Sequence, residues 1–457
     1  MTTRSVLITA AIASAVLQFT ACTPAEQPQT SRTEPTSSVP SWTASTSATG
    51  QVVHISVAAA AGGDGSAARP FRTIQQGVDQ APTGSTVLVS AGAYAGFAVT
   101  RDGVTISAAP GALVSVRGGG REVIEFDGVS GGAIDGLDVT GSQVRYGSGV
   151  KIDSSSGVVV RNSQVHDART FGIVVVQSSN VVLQHNEIYG NADGIEERQA
   201  SNLVIRANRI HSNLKEVDSG RGQEGINFYQ STGRVIVEWN SLWNNGTHFE
   251  VYGASNLVFR YNHLHSGQVM ETGTTSGLPC AHNVFVRNVA YRGARKSGGL
   301  ILRCAQDMLV AHNVLDGFDQ FAFDVIDGLK GVAYGGSVER LRIVDNVVVR
   351  GRAHSIDSAL PKSVVIDYNL VSNAGSTAQY GDFLCYVGGK GNARTLAQFR
   401  SWTGYEHHGI STDPRFVDGI HHDYHLTTGS PAINHGIVVL GESFKGTAPD
   451  LGRYEQR

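Results

Sequence analysis

The chain of 457 residues has neither an excess of basic residues nor many cysteines. Its 36 Lys+Arg residues are balanced by 39 Asp+Glu residues. This balance offers no basic surface, so the sequence gives no indication of a nucleic-acid partner. The sequence also contains no phosphate-binding loop, no nucleophile elbow and no dinucleotide-binding fingerprint. We therefore expect no cofactor.

Glycine is abundant instead, with 55 residues, which suits a β-protein rich in turns. An asparagine recurs at intervals of about two dozen residues, and two of the intervals carry inserts of about ten residues. The marker asparagines are Asn162, Asn186, Asn208, Asn240, Asn262, Asn288, Asn313, Asn346 and Asn369. Around each marker, short apolar runs alternate with period two, and no helical period fits them. A recurrence of this kind is typical of a solenoid.

The repeat predicts an all-β fold, a right-handed parallel β-helix, in which each coil covers the apolar interior of the next. The apolar residues three positions before a marker should point inward, and Val159, Ile205, Phe259 and Ile343 test this. Asparagine tolerates the left-handed backbone region, so each marker should form a tight turn. Identical asparagines stacked coil over coil should also form a ladder of hydrogen bonds.

The two ends of the repeat carry the motifs of a known family. Segments 64–66, 70–75, 81–87 and 91–94 resemble the N-terminal cap of secreted pectin-lyase-like β-helix proteins, and segments 413–417, 424–426, 429–433 and 450–455 resemble their closing coil. The resemblance implies one β-helix domain over 51–457, with a cap over 51–100 and a closing coil over 404–457. Apolar spacing predicts a capping helix over 70–81, and we expect a second helix over 396–402 near the other end. The family includes polysaccharide lyases, glycoside hydrolases and epimerases, so it implies a fold and leaves the activity open.

Residues 1–22 have the pattern of an export signal, and 23–50 form a Ser/Thr/Pro-rich tether without apolar period. The motif Phe19-Thr20-Ala21-Cys22 resembles the lipobox of bacterial lipoproteins, although the family has a Leu-like residue where Phe19 stands. This resemblance implies a lipid on Cys22 and a membrane-anchored protein in the cell envelope that faces outward. The alternative is an ordinary cleaved signal and a secreted protein.

Two cysteines occupy nearly the same place on adjacent coils. Cys280 and Cys304 precede their marker asparagines by similar distances, so they lie within reach of a disulfide. Export would permit such a bond, and two buried thiols are the alternative.

The strand that begins each coil places outward residues in columns. The first column contains Glu196, Asn227 and Glu250, followed by Thr272 or Ser276, and the second contains Arg198, Tyr229, Tyr252 and, two coils later, Arg303. Long inserts at 214–223 and 326–338 flank the same strand and should wall a groove. We predict Glu196 and Glu250 as catalytic residues. The predicted substrate-binding residues are Arg198, Asn227, Tyr229, Tyr252 and Arg303.

A groove along the axis of a β-helix suits a linear polymer. Glu196 and Glu250 are two coils apart, roughly 9–10 Å between backbones, and inverting glycosidases hold their acid and base about 6.5–9.5 Å apart. In a lyase, Arg198 and Arg303 would instead hold uronate carboxylates by bidentate hydrogen bonds. A third interpretation is that these side chains only stabilise the outer sheet face.

Two other sets of residues compete with these columns. A second column contains Tyr189, His211, Trp243, His265 and Tyr291, whose rings would stack on sugars or merely cover a surface. The histidines within 406–408 and 421–425 lack the spacing of known metal sites. Asp193 and Glu224 share a column, but two acids are too few to indicate a metal, so we predict no metal site.

The sequence therefore predicts an extracellular β-helix protein that degrades a linear polysaccharide by hydrolysis or β-elimination. Its partners would be the polysaccharide and, through Cys22, the membrane, and we expect a monomer. The alternative from another class is a non-catalytic surface protein that binds glycans or partners. A periplasmic accessory protein of metalloenzyme maturation is a third alternative, for which the sequence shows no clear metal ligands.

Overall fold

The structure is a computed structural model that describes residues 50–456, except 119, 216–222, 275–276, 293–297, 319, 328–334, 357–359, 374–383, 440 and 442. The predicted export signal, Cys22 and the tether up to residue 49 lie outside the described residues. Within the described part of the chain, no helix has the length and apolar character needed to cross a membrane.

The protein is a right-handed parallel β-helix built of three long sheets, as the repeat predicts. Each coil contributes one strand to each sheet in turn. Sheet A contains the strands that precede the marker asparagines: Val52–Ile55, Thr86–Val89, Thr105–Ala108, Ala133–Asp135, Val159–Arg161, Val182–Gln184, Leu203–Arg206, Val235–Glu238, Leu257–Arg260, Val284–Val286, Leu309–Ala311, Arg342–Val344 and Val365–Asp367.

Sheets B and C complete the coil. Sheet B follows the markers and contains Gly92–Ala95, Val114–Arg117, Asp138–Thr140, Gln164–His166, Glu187–Tyr189, Arg209–His211, Ser241–Trp243, His263–His265, Val289–Tyr291, Val314–Asp316, Val347–Val349 and Leu370–Ser372. Sheet C contains Phe97–Val99, Glu122–Asp127, Ser148–Asp153, Phe171–Val176, Asp193–Arg198, Glu224–Tyr229, Thr247–Tyr252, Gln268–Gly273, Leu300–Leu302, Phe321–Val325, Arg352–Ile356, Cys385–Val387 and Gly391–Ala393, of which the last is antiparallel. Two small pairs lie outside the sheets: Ala305–Gln306 with Val338–Glu339, and Phe416–Asp418 with Asp423–Leu426, which the 3₁₀ turn Gly419–His421 connects.

Two helices lie near the ends of the stack. The first, Ile74–Gln80, begins after Thr73, whose side chain accepts a hydrogen bond from the Gln76 backbone N–H in a capping box. Its apolar residues Ile74 and Val78 are buried against the first strands of the stack. The second helix, Leu396–Thr403, ends at Gly404 in the left-handed conformation, which glycine adopts without strain. The two helices overlap the predicted segments 70–81 and 396–402.

The interior confirms most of the predicted inward positions and shows one error of register. Ile205, Phe259 and Ile343 are fully buried in the main core. Val159 instead lies in a small cluster on the other side of sheet A, and Val160 takes its place in the core because it pairs with Leu183. Side chains alternate along a strand, so a slip of one residue moves a side chain to the opposite face.

The same slip identifies the true marker of that coil. The Ser163 backbone N–H donates to Asn186 Oδ1 at 3.1 Å, so Ser163, not Asn162, occupies the marker position. The left-handed residue is also one position earlier than predicted: His185 (φ 56°), Ala207 (φ 52°) and Trp239 (φ 60°) precede their asparagines. The asparagines are therefore not the left-handed residues of these turns.

The asparagines instead form the predicted ladder inside the coils. Each Asn Oδ1 accepts hydrogen bonds from the backbone and side-chain amides of the preceding marker; for Asn186 and Asn208 the distances are 2.9 and 3.1 Å. Each Nδ2 also donates to a carbonyl of the preceding coil, as Asn186 does to Val160 at 2.9 Å. The ladder ends at Asn369, whose Nδ2 donates to the buried carboxylate of Glu406 at 2.8 Å. Buried amides are thus satisfied from coil to coil.

The last segment of the chain folds back over two of the three sheets. Tyr424 and Leu451 pack on the outer face of sheet B in its late coils, and Val439 packs on the outer face of sheet A. Cys280 and Cys304 are joined by a disulfide beside sheet C, with their Cα atoms 5.4 Å apart. The described part of this segment leaves the outer face of sheet C uncovered in the middle coils.

Candidate functional site

The register of sheet C brings the two predicted columns together. Glu196 pairs with Asn227, Asn227 with Glu250, and Glu250 with Glu271. The next member of the first column is therefore Glu271, and the predicted alternatives are both replaced: Thr272 points inward and is fully buried, and Ser276 lies outside the described residues. In the second column Arg198 pairs with Tyr229, and Tyr229 pairs with Tyr252.

Four carboxyl groups, Asp193, Glu196, Glu224 and Glu250, form what we call the acid cluster on three consecutive strands. Burial raises the pKa of Asp193 to about 6 and the pKa of Glu196 to about 7. Burial and the shared hydrogen bond with Asp193 raise the pKa of Glu224 to about 9. Carboxyl groups that crowd together out of water cannot all ionise at neutral pH, so the acid cluster retains protons there.

The arginines of the predicted site are bound to acids of the same face. Arg198 Nε donates to Glu196 Oε1 at 2.7 Å, and Arg303 Nη1 forms an ion pair with Glu271. Arg303 also has a fixed backbone, because its N–H donates to Thr272 Oγ1 at 3.2 Å, one residue before the disulfide at Cys304. Both guanidinium groups that the sequence predicts as uronate ligands are thus engaged by the protein.

The two tyrosines stack along the axis of the β-helix. The ring centroids of Tyr229 and Tyr252 are 5.6 Å apart, and the ring planes differ by 7°. They lie two residues along their strands from Asn227 and Glu250, so the ring pair borders the acid cluster. Tyr252 is buried and Tyr229 is half-buried, so Tyr229 presents most of the aromatic surface beside the acid groups. Such a surface is suited to a polar ring that offers both an apolar face and hydroxyl groups.

Two buried acceptor atoms in this region have no hydrogen-bond partner among the described residues. They are Glu224 Oε2 and Asn227 Oδ1. Buried oxygen atoms are nearly always hydrogen-bonded, and an unmade bond costs about 1–3 kcal/mol. These two atoms therefore mark a part of sheet C where the hydrogen bonding of the protein is incomplete.

The sequence predicts Glu196 and Glu250 as catalytic residues, whereas it offers Asp193 and Glu224 only as two acids of one column, too few to indicate a metal site. Within the described residues, no group of three or more His, Cys, Asp or Glu side chains is arranged to hold a metal ion. Both residues lie on strands that carry Glu196 or precede Glu250, which the sequence pattern shows. Burial, which the sequence does not show, raises their pKa values.

Residues 216–222 of the first insert and 328–334 of the second lie outside the described residues. Gln223, at the end of the first insert, donates its backbone N–H to the Ala192 carbonyl at 2.7 Å, next to Asp193. The first insert thus rejoins the sheet beside the acid cluster.

The competing aromatic column forms a stack on sheet B. It contains the five predicted rings and extends by His166 and His422 at its ends. The stacked rings are His166, Tyr189, His211, Trp243, His265, Tyr291 and His422, with centroids 3.6–6.1 Å apart. Because each inner ring contacts a ring on both faces, these faces are not available to sugars, and the geometry favours a covering role.

The C-terminal histidines also have specific neighbours. His408 Nδ1 lies 2.8 Å from Asp367 Oδ2, and His425 Nδ1 lies 2.7 Å from Asp423 Oδ1. His422 ends the aromatic stack, and Glu406 ends the asparagine ladder. These residues are explained by the packing of the closing segment.

The fold and the site define the protein as a right-handed parallel β-helix protein. Residues 93–264 match the family model described as a right handed beta helix region. The chain is similar to the structure of XylC in complex with xylose, with a TM-score of 0.53 and 10% identity over 74% of this chain and 86% of that chain. No curated protein has a sequence close enough to match this chain.

Two further structures are similar at lower scores. One is pectate lyase Pel9A, with a TM-score of 0.48 and 14% identity over 89% of this chain and 96% of that chain. The other is the family 28 exopolygalacturonase of Yersinia enterocolitica, with a TM-score of 0.46 and 14% identity over 74% of this chain and 77% of that chain. At such identities the comparisons show the fold alone, and the function has to be argued from the site.

Proposed function

We propose that the protein hydrolyses a linear polysaccharide bound along the outer face of sheet C. The observation that carries this proposal is the acid cluster, in which Glu224 has a pKa of about 9 and stays protonated at neutral pH. A carboxyl group that keeps its proton near neutral pH can donate it to a leaving oxygen. The structure of XylC, to which the chain is similar, holds xylose, which supports a carbohydrate ligand.

In this mechanism Glu224 protonates the glycosidic oxygen, and a carboxylate in the column of Glu196 and Glu250 activates water. Glu224 lies on the strand between those of Glu196 and Glu250 and shares a hydrogen bond with Glu250, so a carboxyl group that can act as base stands beside the proton donor. Arg198, 2.7 Å from Glu196, favours the ionised form of that carboxyl. Tyr229 and Tyr252 would hold a sugar ring beside these groups.

Hydrolysis is favoured over β-elimination by the state of the arginines. A lyase must hold the uronate carboxylate with a cation before it abstracts the neighbouring proton. Arg198 and Arg303, the two predicted for this task, are paired with Glu196 and Glu271. A non-catalytic binding protein remains the alternative, because paired outer side chains also stabilise a sheet face.

The test is incubation of the purified protein with a panel of polysaccharides, with an assay of new reducing ends beside the absorbance of unsaturated uronates. We expect reducing ends without unsaturated products, and loss of activity in Glu196→Gln and Glu250→Gln. Glu187→Gln, on sheet B, is the matched control and should keep full activity. Unsaturated products would show that the protein is a lyase. Binding of a polymer without new reducing ends on any polymer of the panel would show that it is a binding protein.

We also propose that the protein is exported and anchored to a membrane through a lipid on Cys22. The lipobox-like motif and the disulfide, a bond that persists in oxidising compartments, support this location. In a bacterial host the full chain should be found in the membrane fraction, and Cys22→Ala should release it. A soluble wild-type protein whose Cys22 carries no acyl group would contradict the anchor.

A further inference from the structure

The outer face of sheet C carries many more acidic than basic side chains. The acids at its outward positions are Glu122, Glu125, Asp127, Asp153, Asp193, Glu196, Glu224, Glu250, Glu271 and Asp324. The basic side chains on the same face, within the described residues, are Lys151, Arg198, Arg303 and Arg352. Because the acid cluster retains protons at neutral pH, the negative charge that a bound polymer would meet comes mainly from the acids outside the cluster, which are Glu122, Glu125, Asp127, Asp153, Glu271 and Asp324.

The basic groups on the accessible part of this face are already engaged by its acids. Lys151 Nζ lies 3.2 Å from Glu125 Oε1 and 2.9 Å from Asp153 Oδ2. Arg198 pairs with Glu196, and Arg303 pairs with Glu271. An anionic polymer could gain a cation here only by breaking one of these ion pairs.

Asn227 lies between Glu196 and Glu250 in the first column, so an anion at the centre of this face would approach carboxyl groups on both sides. Hydroxyl and ammonium groups can donate hydrogen bonds to carboxylates, whereas a carboxylate or sulfate offers only further acceptors. Bringing like charges together costs several kcal/mol at a binding surface.

We propose that the polymer bound on sheet C carries no carboxylate or sulfate groups, and that a polysaccharide with free amino groups binds best. The inference rests on the function proposed above and adds the substrate class. It reverses the role that the sequence suggests for Arg198 and Arg303, since these arginines neutralise the protein's own acids and do not receive uronates.

Binding of three oligosaccharides of equal length to the full protein tests the inference: oligoglucosamine, oligoglucose and oligogalacturonate. At neutral pH and low salt, oligoglucosamine should bind about tenfold or more tightly than oligogalacturonate, with oligoglucose between them. Added salt should reduce the difference, because it screens exposed charges. Equal or tighter binding of oligogalacturonate would overturn the inference.

A pair of double variants separates this face from the general charge of the protein. Glu196→Gln with Glu271→Gln releases two arginines on sheet C and should improve oligogalacturonate binding about tenfold. Glu187→Gln with Asp135→Asn also removes two carboxylates, which pair with Arg209 at 3.3 Å and Arg161 at 2.9 Å on the other sheets. This control should leave the preference unchanged, and an equal shift in both would contradict a binding site on sheet C.

The outcomes distinguish this inference from the proposed function. Cleavage of uronate polymers would overturn the inference and leave an enzyme on sheet C. Selective binding of oligoglucosamine without cleavage of any polymer would overturn hydrolysis and leave the inference standing.

Discussion

Sheets B and C each present a column of large side chains to the outside, yet the two columns are in opposite physical states. On sheet B each inner ring of the stack contacts its neighbours on both faces, with centroids as close as 4.1 Å for His211 and Trp243. On sheet C the carboxyl groups have raised pKa values, and two oxygen atoms have no partner among the described residues. A column whose side chains contact one another stabilises the coil. A column whose carboxyl groups have raised pKa values and whose polar atoms lack partners is a candidate catalytic or binding site.

The largest effect that would test this comparison is expected at Glu224. Glu224→Gln keeps the size of the side chain and removes the proton donor, so kcat should fall by about 10²–10⁴-fold. The wild-type rate should hold up to a pH of about 9 and fall above it, as Glu224 loses its proton. A variant with near-normal kcat would place the proton donor elsewhere.

The interior ladder gives the largest expected effect on stability. Asn240→Ala removes the acceptor of the Asn208 backbone N–H at 2.9 Å and the donor to the Ile205 carbonyl at 2.9 Å. Two buried groups lose their partners, so we expect a loss on the order of 2–5 kcal/mol in the free energy of unfolding. The exposed Asn202, which donates to Asn180 Oδ1 at 3.2 Å, is the matched control, and Asn202→Ala should cost less than about 0.5 kcal/mol. Similar losses in urea unfolding for both variants would contradict a role specific to the ladder.

The fold was predictable because its signal is repeated. One wrong register, at Asn162, left the predicted fold unchanged, since the later coils carry the same pattern in the correct register. The acid cluster was only partly predictable. Equal offsets from the marker asparagines show which side chains lie side by side on neighbouring strands, but they do not show how deeply each side chain is buried. Glu271 was missed because the register of its coil was uncertain in the sequence, and the ion pair of Arg303 with Glu271 could not be predicted without it.

A smaller effect is expected from Glu197, which points into the core beside the acid cluster. Burial raises its pKa from 4.5 to about 8. Between pH 4.5 and about 8 the carboxyl group of Glu197 keeps its proton in the folded state and loses it in the unfolded state. The stability contribution that is fully present below the unfolded pKa is therefore lost as the pH rises through about 8. Each unit of pKa shift corresponds to about 1.4 kcal/mol. Glu197→Gln should therefore be more stable than the wild type at pH 8, and chemical unfolding at pH 5 and pH 8 measures the change. A wild-type stability that rises over this range would contradict the assignment.

The smallest effect is expected on sheet B, in the column of stacked rings that contrasts with the acid cluster of sheet C. Trp243→Ala removes the contacts of one ring with His211 and His265, whose centroids lie 4.1 and 6.1 Å away. An aromatic pair contributes about 0.5–1.5 kcal/mol beyond its buried area, so the free energy of unfolding should fall by about 1–3 kcal/mol. Activity on a polymer should not change, because both faces of the ring contact other rings of the stack.

Tyr229→Ala on sheet C breaks the pair with Tyr252 and is the matched variant. It should raise KM, because it removes part of the surface on which a sugar ring would lie. If Trp243→Ala raised KM and Tyr229→Ala did not, the polymer would bind along sheet B, and the acid cluster would be a structural feature of the coil.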